Sequence, residues 1–110
     1  MGDTMSQLAC CEFSDFLRAM SSGTRQHILL LLQDREMTVS EICAAFEQTQ
    51  PTISYHLTSL RQANLVTKRH DGKWIYYRAN QDCVAECCQE ILFRFPSVTL
   101  PGDESGGNDV

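Results

Sequence analysis

Apolar residues recur at helical spacing along most of this chain and switch to strand-like runs only once, between Leu65 and Ala79. A helix is predicted from Ser6 to Met20, with Leu8, Cys11, Phe16, Leu17 and Met20 as its apolar residues. The stretch SSGT (Ser21 to Thr24) breaks it, and Thr24 is placed to cap a second helix that carries RQHILLLLQ. Gln33 to Glu36 reads as a polar turn. Ser40 stands before EICAAF, a short helix with Ile42, Cys43 and Phe46 on one side.

A tight connection, EQTQ, leads into the next helix, where Thr49 is an N-cap and Pro51 sits in the first turn. Ile53, Leu57 and Leu60 form its apolar stripe, and Asn64 suits the left-handed position that ends it. LVTKRHDGKWIYYRA reads as two strands joined by a turn centred on Asp71-Gly72. A last helix is predicted from a cap at Asp82 to Phe95, with Pro96 beyond it. The order of elements is mainly helical with a β-hairpin. A short helix, a tight turn, a longer helix and a hairpin make a winged helix-turn-helix. Residues 1–95 are expected to form one domain, and the polar, Gly-rich residues 96–110 a disordered tail.

Charge sharpens this picture. The whole chain has formal charge −5, yet Gln48 to His70 contains no carboxylate. From Gln50 to Arg78 there are five basic residues (Arg61, Lys68, Arg69, Lys73, Arg78) and one acidic residue, Asp71. An acidic protein with a basic middle has the electrostatic footprint of a polyanion-binding surface. With Ile53, Leu57 and Leu60 turned inward, the other face of that helix carries Thr52, Tyr55, Thr58 and Ser59, with Gln50 and Ser54 near its start. Amides and hydroxyls pair with base edges, and a helix N-terminus attracts phosphate. Lys68, Arg69, His70 and Lys73 on the hairpin would add phosphate contacts. The expected partner is double-stranded operator DNA.

Other function classes fit poorly. The longest apolar run, Ile28 to Leu32, is far short of the ~20 residues that span a bilayer. The N-terminus lacks a basic region before an apolar one, so a cytoplasmic protein is expected. No Cys-x-x-Cys, Gly-rich phosphate loop or nucleophile-base motif occurs, which argues against an enzyme. Glu86 and Glu90 flank Cys87 and Cys88 and would raise rather than lower a thiolate pKa. His56 borders the apolar stripe and is expected to be structural or to face phosphate rather than a metal.

FLRAMSSGTRQHILLLL, TVSEICAAFEQTQPTISYHLTSLRQANLV and RHDGKWIYYRA together resemble the arsenic-repressor (ArsR/SmtB) family of winged-helix metalloregulators. The resemblance covers roughly Phe16 to Ala79. It implies a homodimer built from the first and last helices, seated on an operator and released by a metal or metalloid. Arsenic-sensing members carry a motif of the form ELCVCDLC, and the matching residues here are EMTVSEIC. Thr38 and Ser40 replace the first two thiols, so that site is absent, and Cys43 is left as a small apolar residue. Zinc-sensing members space Asp and His along the last helix, which here has Asp82, Glu86 and Glu90 but no His.

The other five cysteines fall on the predicted first and last helices. Cys83 and Cys87 lie about 40° apart around their helix and can share an ion, and Cys88 lies about 100° further on. Cys10 or Cys11 could complete the site, across the dimer where the two helices meet. In a reducing compartment such thiols are expected to be metal-binding, redox-active or buried rather than disulfide-bonded. Three thiolates suit As(III) or Sb(III) as inducer, and four suit Zn(II), Cd(II) or Pb(II). A repressor of the same fold that senses oxidants or persulfides through a cysteine pair is the alternative.

Overall fold

The computed structural model describes residues 10–96. The predicted tail from residue 97 onward and the predicted helical residues Ser6 to Ala9 lie outside the described residues. The elements run α1 (Phe13–Ala19), α2 (Gly23–Leu31), β1 (Met37–Thr38), α3 (Val39–Phe46), α4 (Gln50–Gln62), β2 (Val66–Asp71), β3 (Trp74–Ala79) and α5 (Gln81–Arg94). The three strands form an antiparallel sheet in the order β1-β3-β2. This is a winged helix-turn-helix, as the pattern of the sequence predicts. Among the described residues no helix is long and apolar enough to cross a membrane.

The first helix is shorter than the apolar spacing predicts. Its N-cap is Glu12, so Cys10 and Cys11 lie in the segment that leads into α1 and not on the helix. The carbonyl of Cys10 is held there by the Nδ2 of Asn64 at 3.3 Å. Caps shift by a residue or two elsewhere. Ser22, not Thr24, caps α2 by accepting from the Arg25 amide, and Asn80, not Asp82, caps α5 by accepting from the Cys83 amide. Thr38 caps α3, which takes in Ser40, and Glu41 reaches back to the Thr38 amide to complete a capping box. Thr49 does precede α4, with Pro51 in its first turn, but its hydroxyl faces Thr52 at 3.1 Å instead of capping an amide.

The pivot between α3 and α4 is Glu47, whose φ of 55° puts it in the left-handed region and whose amide bonds Cys43 O. A non-glycine residue there costs roughly 1–2 kcal/mol, so the turn angle is set by the packing of the helices on either side of it. That packing is the core. Ile53, Leu57 and Leu60 of α4 are buried against Ile28 and Leu32 of the α2 region and Ile42 of α3. Truncating one of these leucines to alanine would cost ~2–5 kcal/mol. Asn64 closes α4 with φ 60°.

In the hairpin, Asp71 pairs with Trp74, so the loop residues are Gly72 and Lys73, one position later than the predicted centre. Gly72 has φ 63°, the positive value that the first position of a type II′ turn needs. Strand β1 has only two residues and exists because Met37 and Thr38 pair with Tyr77 and Tyr76. Nothing in its own periodicity announces it.

Candidate nucleic-acid interface and thiol site

The outward face of α4 follows from its inward one. Gln50, Thr52, Tyr55 and Thr58 are exposed, and Ser54 and Ser59 are half-buried beside the core stripe. No acidic residue lies in the first turn, so the N-terminal amides of α4 keep their full attraction for an anion. Beyond Val66 every residue of β2 is exposed, which puts Lys68, Arg69 and His70 at the surface, with Lys73 in the loop after them. The ten candidate DNA-contacting residues are thus spread over α4, β2 and the wing loop. Arg61 and Arg78 are also exposed and basic, outside the candidate set, and the charge count alone signals them.

Two of the basic groups do more than their sequence positions disclose. Arg69 donates from Nε and Nη2 to both carboxylate oxygens of Glu36, at 2.9 and 2.7 Å. Its guanidinium also lies 4.7 Å from the centre of the Tyr76 ring. These bonds hold the Glu36 carboxyl below its usual range and push the Arg69 pKa up. Arg25 is 8% exposed, the buried charge of the described core. Its Nε and Nη2 donate to the carbonyls of Ala19 and Arg18, at 2.7 and 3.2 Å, where α1 ends. Its Nη1 is 3.4 Å from His56 Nδ1. A guanidinium has only donors, so this contact needs a neutral His56 with Nδ1 as acceptor. Burial, then the charge of Arg25, lowers the His56 pKa accordingly.

The second site is made of sulfur. Cys83 and Cys87, one turn apart on α5, are buried, and the segment before α1 lays Cys10 and Cys11 against them. Sγ of Cys11 is 3.8 Å from Cys87 and 4.0 Å from Cys83, and Cys83 is 4.0 Å from Cys87. Cys10 is 3.9 Å from Cys11 and is disulfide-bonded to Cys83. All four sulfurs lie within 4.8 Å of one another, within one chain. Sequence reasoning expected reduced thiols; packing α5 against residues 10 and 11 puts two of them in bonding reach. Cys88 is exposed and lies outside the group, and Cys43 is half-buried at the edge of the core on α3.

Once the disulfide is reduced, this donor set suits a soft ion. Thiolates 2.3 Å from a tetrahedral centre stand ~3.8 Å apart, close to the distances found. Burial, then the sulfur of Cys11, pushes the Cys87 thiol up to about 12. Burial likewise raises Cys11. Both are therefore neutral thiols at pH 7, unsuited to act as nucleophiles but available to an ion that displaces their protons. Thr38 caps α3 with its hydroxyl, which leaves it no ligand role.

A model of the bacterial regulatory proteins of the arsR family matches residues 22–68. The chain is 36% identical over 93 residues to an arsenical resistance operon repressor of Bacillus subtilis, covering 84% of this chain and 88% of that one. It is 35% identical over 83 residues to the HTH-type transcriptional regulator KmtR of Mycobacterium tuberculosis, covering 76% of this chain. It spans 64% of KmtR, less than two thirds of that protein's length. Among solved structures it is similar to the homodimeric winged helix-turn-helix DNA-binding domain Mb0332 of Mycobacterium bovis. That match has a TM-score of 0.61 at 28% identity and covers 76% of each chain.

Proposed function

Because the chain belongs to the arsR family of bacterial regulatory proteins, we propose that it is a homodimeric transcriptional repressor released from operator DNA by a thiophilic inducer. Gln50, Thr52, Ser54, Tyr55, Thr58 and Ser59 of α4 enter the major groove, and Lys68, Arg69, His70 and Lys73 meet the phosphates. The dimer forms through α1 and α5. There Leu17, Phe93 and Phe95 are 49%, 62% and 57% exposed, an apolar surface of the kind a partner covers.

The inducer is As(III) or Sb(III). The observation that carries this is the triangle of Cys11, Cys83 and Cys87, with sides of 3.8 to 4.0 Å. Three thiolates complete the pyramid of a trivalent metalloid once a dithiol has reduced the Cys10–Cys83 bond, and Cys10 can join as a fourth donor. Four thiolates would hold Cd(II) or Pb(II), so a divalent soft metal is the alternative inducer. The ligands come from one protomer, two sites per dimer, and Cys88 takes no part.

The test uses the reduced protein and a duplex from the region upstream of its gene. Affinity falls as salt rises, arsenite releases the duplex, and Cys87→Ser binds the duplex without releasing it. Absence of salt-dependent duplex binding ends the proposal. Binding that arsenicals never loosen ends its sensing half.

The disulfide favours a second reading. A hydroperoxide can oxidise the thiols of Cys10 and Cys83 to their disulfide, the two thiols losing two protons and two electrons and the hydroperoxide becoming one alcohol and one water. Release by peroxide that a dithiol reverses, with no metal or metalloid retained, would mark a redox sensor.

A further inference from the structure

The α4 helix ends against the thiol site. Ala63 is the C-cap of α4, and Asn64 follows in the left-handed conformation, its amide bonded to Arg61 O at 2.9 Å. From there the Asn64 side chain reaches outward and donates through Nδ2 to the carbonyl of Cys10 at 3.3 Å. The Asn64 carbonyl accepts from Nδ2 of Asn80 at 3.0 Å. Asn80 is the N-cap of α5, and its Oδ1 accepts from the Cys83 amide at 3.4 Å. Cys83 Sγ itself lies 3.8 Å from the Ala63 carbonyl oxygen. Both cysteine-bearing segments, the one before α1 and the first turn of α5, therefore converge on the two residues that terminate α4.

We infer that Asn64 is a positioning residue that couples occupancy of the thiol cluster to the pose of α4. The inference rests on the reading of the cluster as the inducer site. Seating an ion among these sulfurs requires the reduced Cys10 and Cys83 to stand farther apart than in their disulfide, which shifts the segment of Cys10 relative to the first turn of α5, and Asn64 is bonded to both of these regions. The 13-residue α4 is a stiff rod ~20 Å long, so a tilt imposed at Ala63 and Asn64 carries to Gln50 and Tyr55. Two subunits reading half-sites one helical turn apart cannot both keep register when their helices tilt. Arg25 offers another route, from the end of α1 to His56, but all of α1 separates it from Cys10 and Cys11. Asn64 touches a cysteine of the cluster directly.

The left-handed φ makes a clean test possible. Glycine adopts φ 60° freely, so Asn64→Gly keeps the end of the helix and removes only the side-chain donor. Three quantities are read on the reduced protein: duplex affinity with and without arsenite, arsenite binding by sulfur-to-arsenic ultraviolet absorption, and Tm. The variant should bind arsenite and, without arsenite, the duplex within about threefold of wild type. The ratio of duplex affinities without and with arsenite should collapse from the ~5–150-fold range of such coupling to below about threefold. An unchanged ratio overturns the inference. So does a lower Tm with weaker duplex binding in both states and an intact ratio, the result of a purely structural role. Asn64→Asp keeps the shape but cannot donate, and should show the same loss if the glycine variant folds poorly. Absence of the arsenic absorption band in the wild type refutes the inducer reading instead, and this inference falls with it.

Discussion

Cys11 Sγ lies 3.8 Å from Cys87 Sγ, although 76 residues separate them in sequence. Burial raises the pKa of both thiols, and the neighbouring Cys11 sulfur adds to it for Cys87, which is pushed up to about 12. The protons they hold at pH 7 distinguish one class of inducer from the other. A divalent cation that binds Cys11 and Cys87 expels a proton from each, so its log K should rise by at least about 2 per pH unit between about pH 6 and 8. Arsenous acid is uncharged and brings three hydroxyls, which leave as three waters with the three thiol protons. No proton is exchanged with solvent, and arsenite affinity should stay nearly flat. Titrations of the reduced protein with Cd(II) and arsenite at three pH values check both slopes. A flat Cd(II) profile would mean that the thiols are already ionised.

The two thiols of the ECCQE stretch should separate in function. Cys87 is buried in the cluster, while Cys88 is exposed and outside it. Cys88→Ser should leave arsenite release of the duplex within about twofold of wild type. Cys11→Ser should weaken arsenite binding by at least about tenfold while leaving duplex affinity unchanged, because it breaks the three-sulfur triangle without touching α4. Equal effects of the two substitutions would place the inducer elsewhere on α5.

These thiols also show what a sequence discloses and what it withholds. The winged helix-turn-helix was legible because Ile53, Leu57 and Leu60 keep strict helical spacing and Gly72 marks the hairpin loop. Spacing also paired Cys83 with Cys87, since that relation lies within one helix. It could not say that Cys10 and Cys11 precede α1, or that they meet α5 within one chain, because long-range packing decides both. Arg69 illustrates the same limit. Its charge suggested a phosphate contact, whereas its bond to Glu36 spans 33 residues and a strand, β1, too short to leave a periodic trace.

Arg25 should prove a stability determinant. It is buried, satisfies two carbonyls at the end of α1, and meets His56 of α4. Arg25→Met removes the side-chain donor to the Ala19 carbonyl, while Arg18 O keeps its bonds from Ser21, and should cost ~1–3 kcal/mol, which lowers Tm by roughly 4–8 °C for each kcal/mol in a domain of this size. His56 adds a pH signature. Its folded pKa lies below the ordinary 6.5, so its contribution is present above about pH 6.5 and is lost as pH falls through the folded value. The wild type should lose Tm more steeply between about pH 6.5 and 5 than His56→Gln does. Matching profiles would show that the ring is not held neutral by its surroundings.

The last prediction concerns the wing. Arg69 shares its charge with Glu36 and stands 3.7 Å from Asp71, so it approaches a duplex already largely neutralised, unlike Lys68 on the same strand. Each phosphate neutralised by a cation steepens the dependence of log K on log salt by about 0.9. Lys68→Ala should therefore flatten that slope by about one unit per protomer. Arg69→Ala should flatten it by clearly less, because its loss also unmasks the Glu36 carboxylate and removes little net charge. Glu36→Gln should do the opposite, releasing Arg69 to the backbone and raising duplex affinity at low salt with a steeper slope. The three slopes, measured between about 50 and 200 mM salt, decide whether Glu36 restrains the wing arginine or only braces the fold. If Arg69→Ala flattens the slope as much as Lys68→Ala, and Glu36→Gln leaves it unchanged, the ion pair opens when DNA binds and Glu36 exerts no restraint.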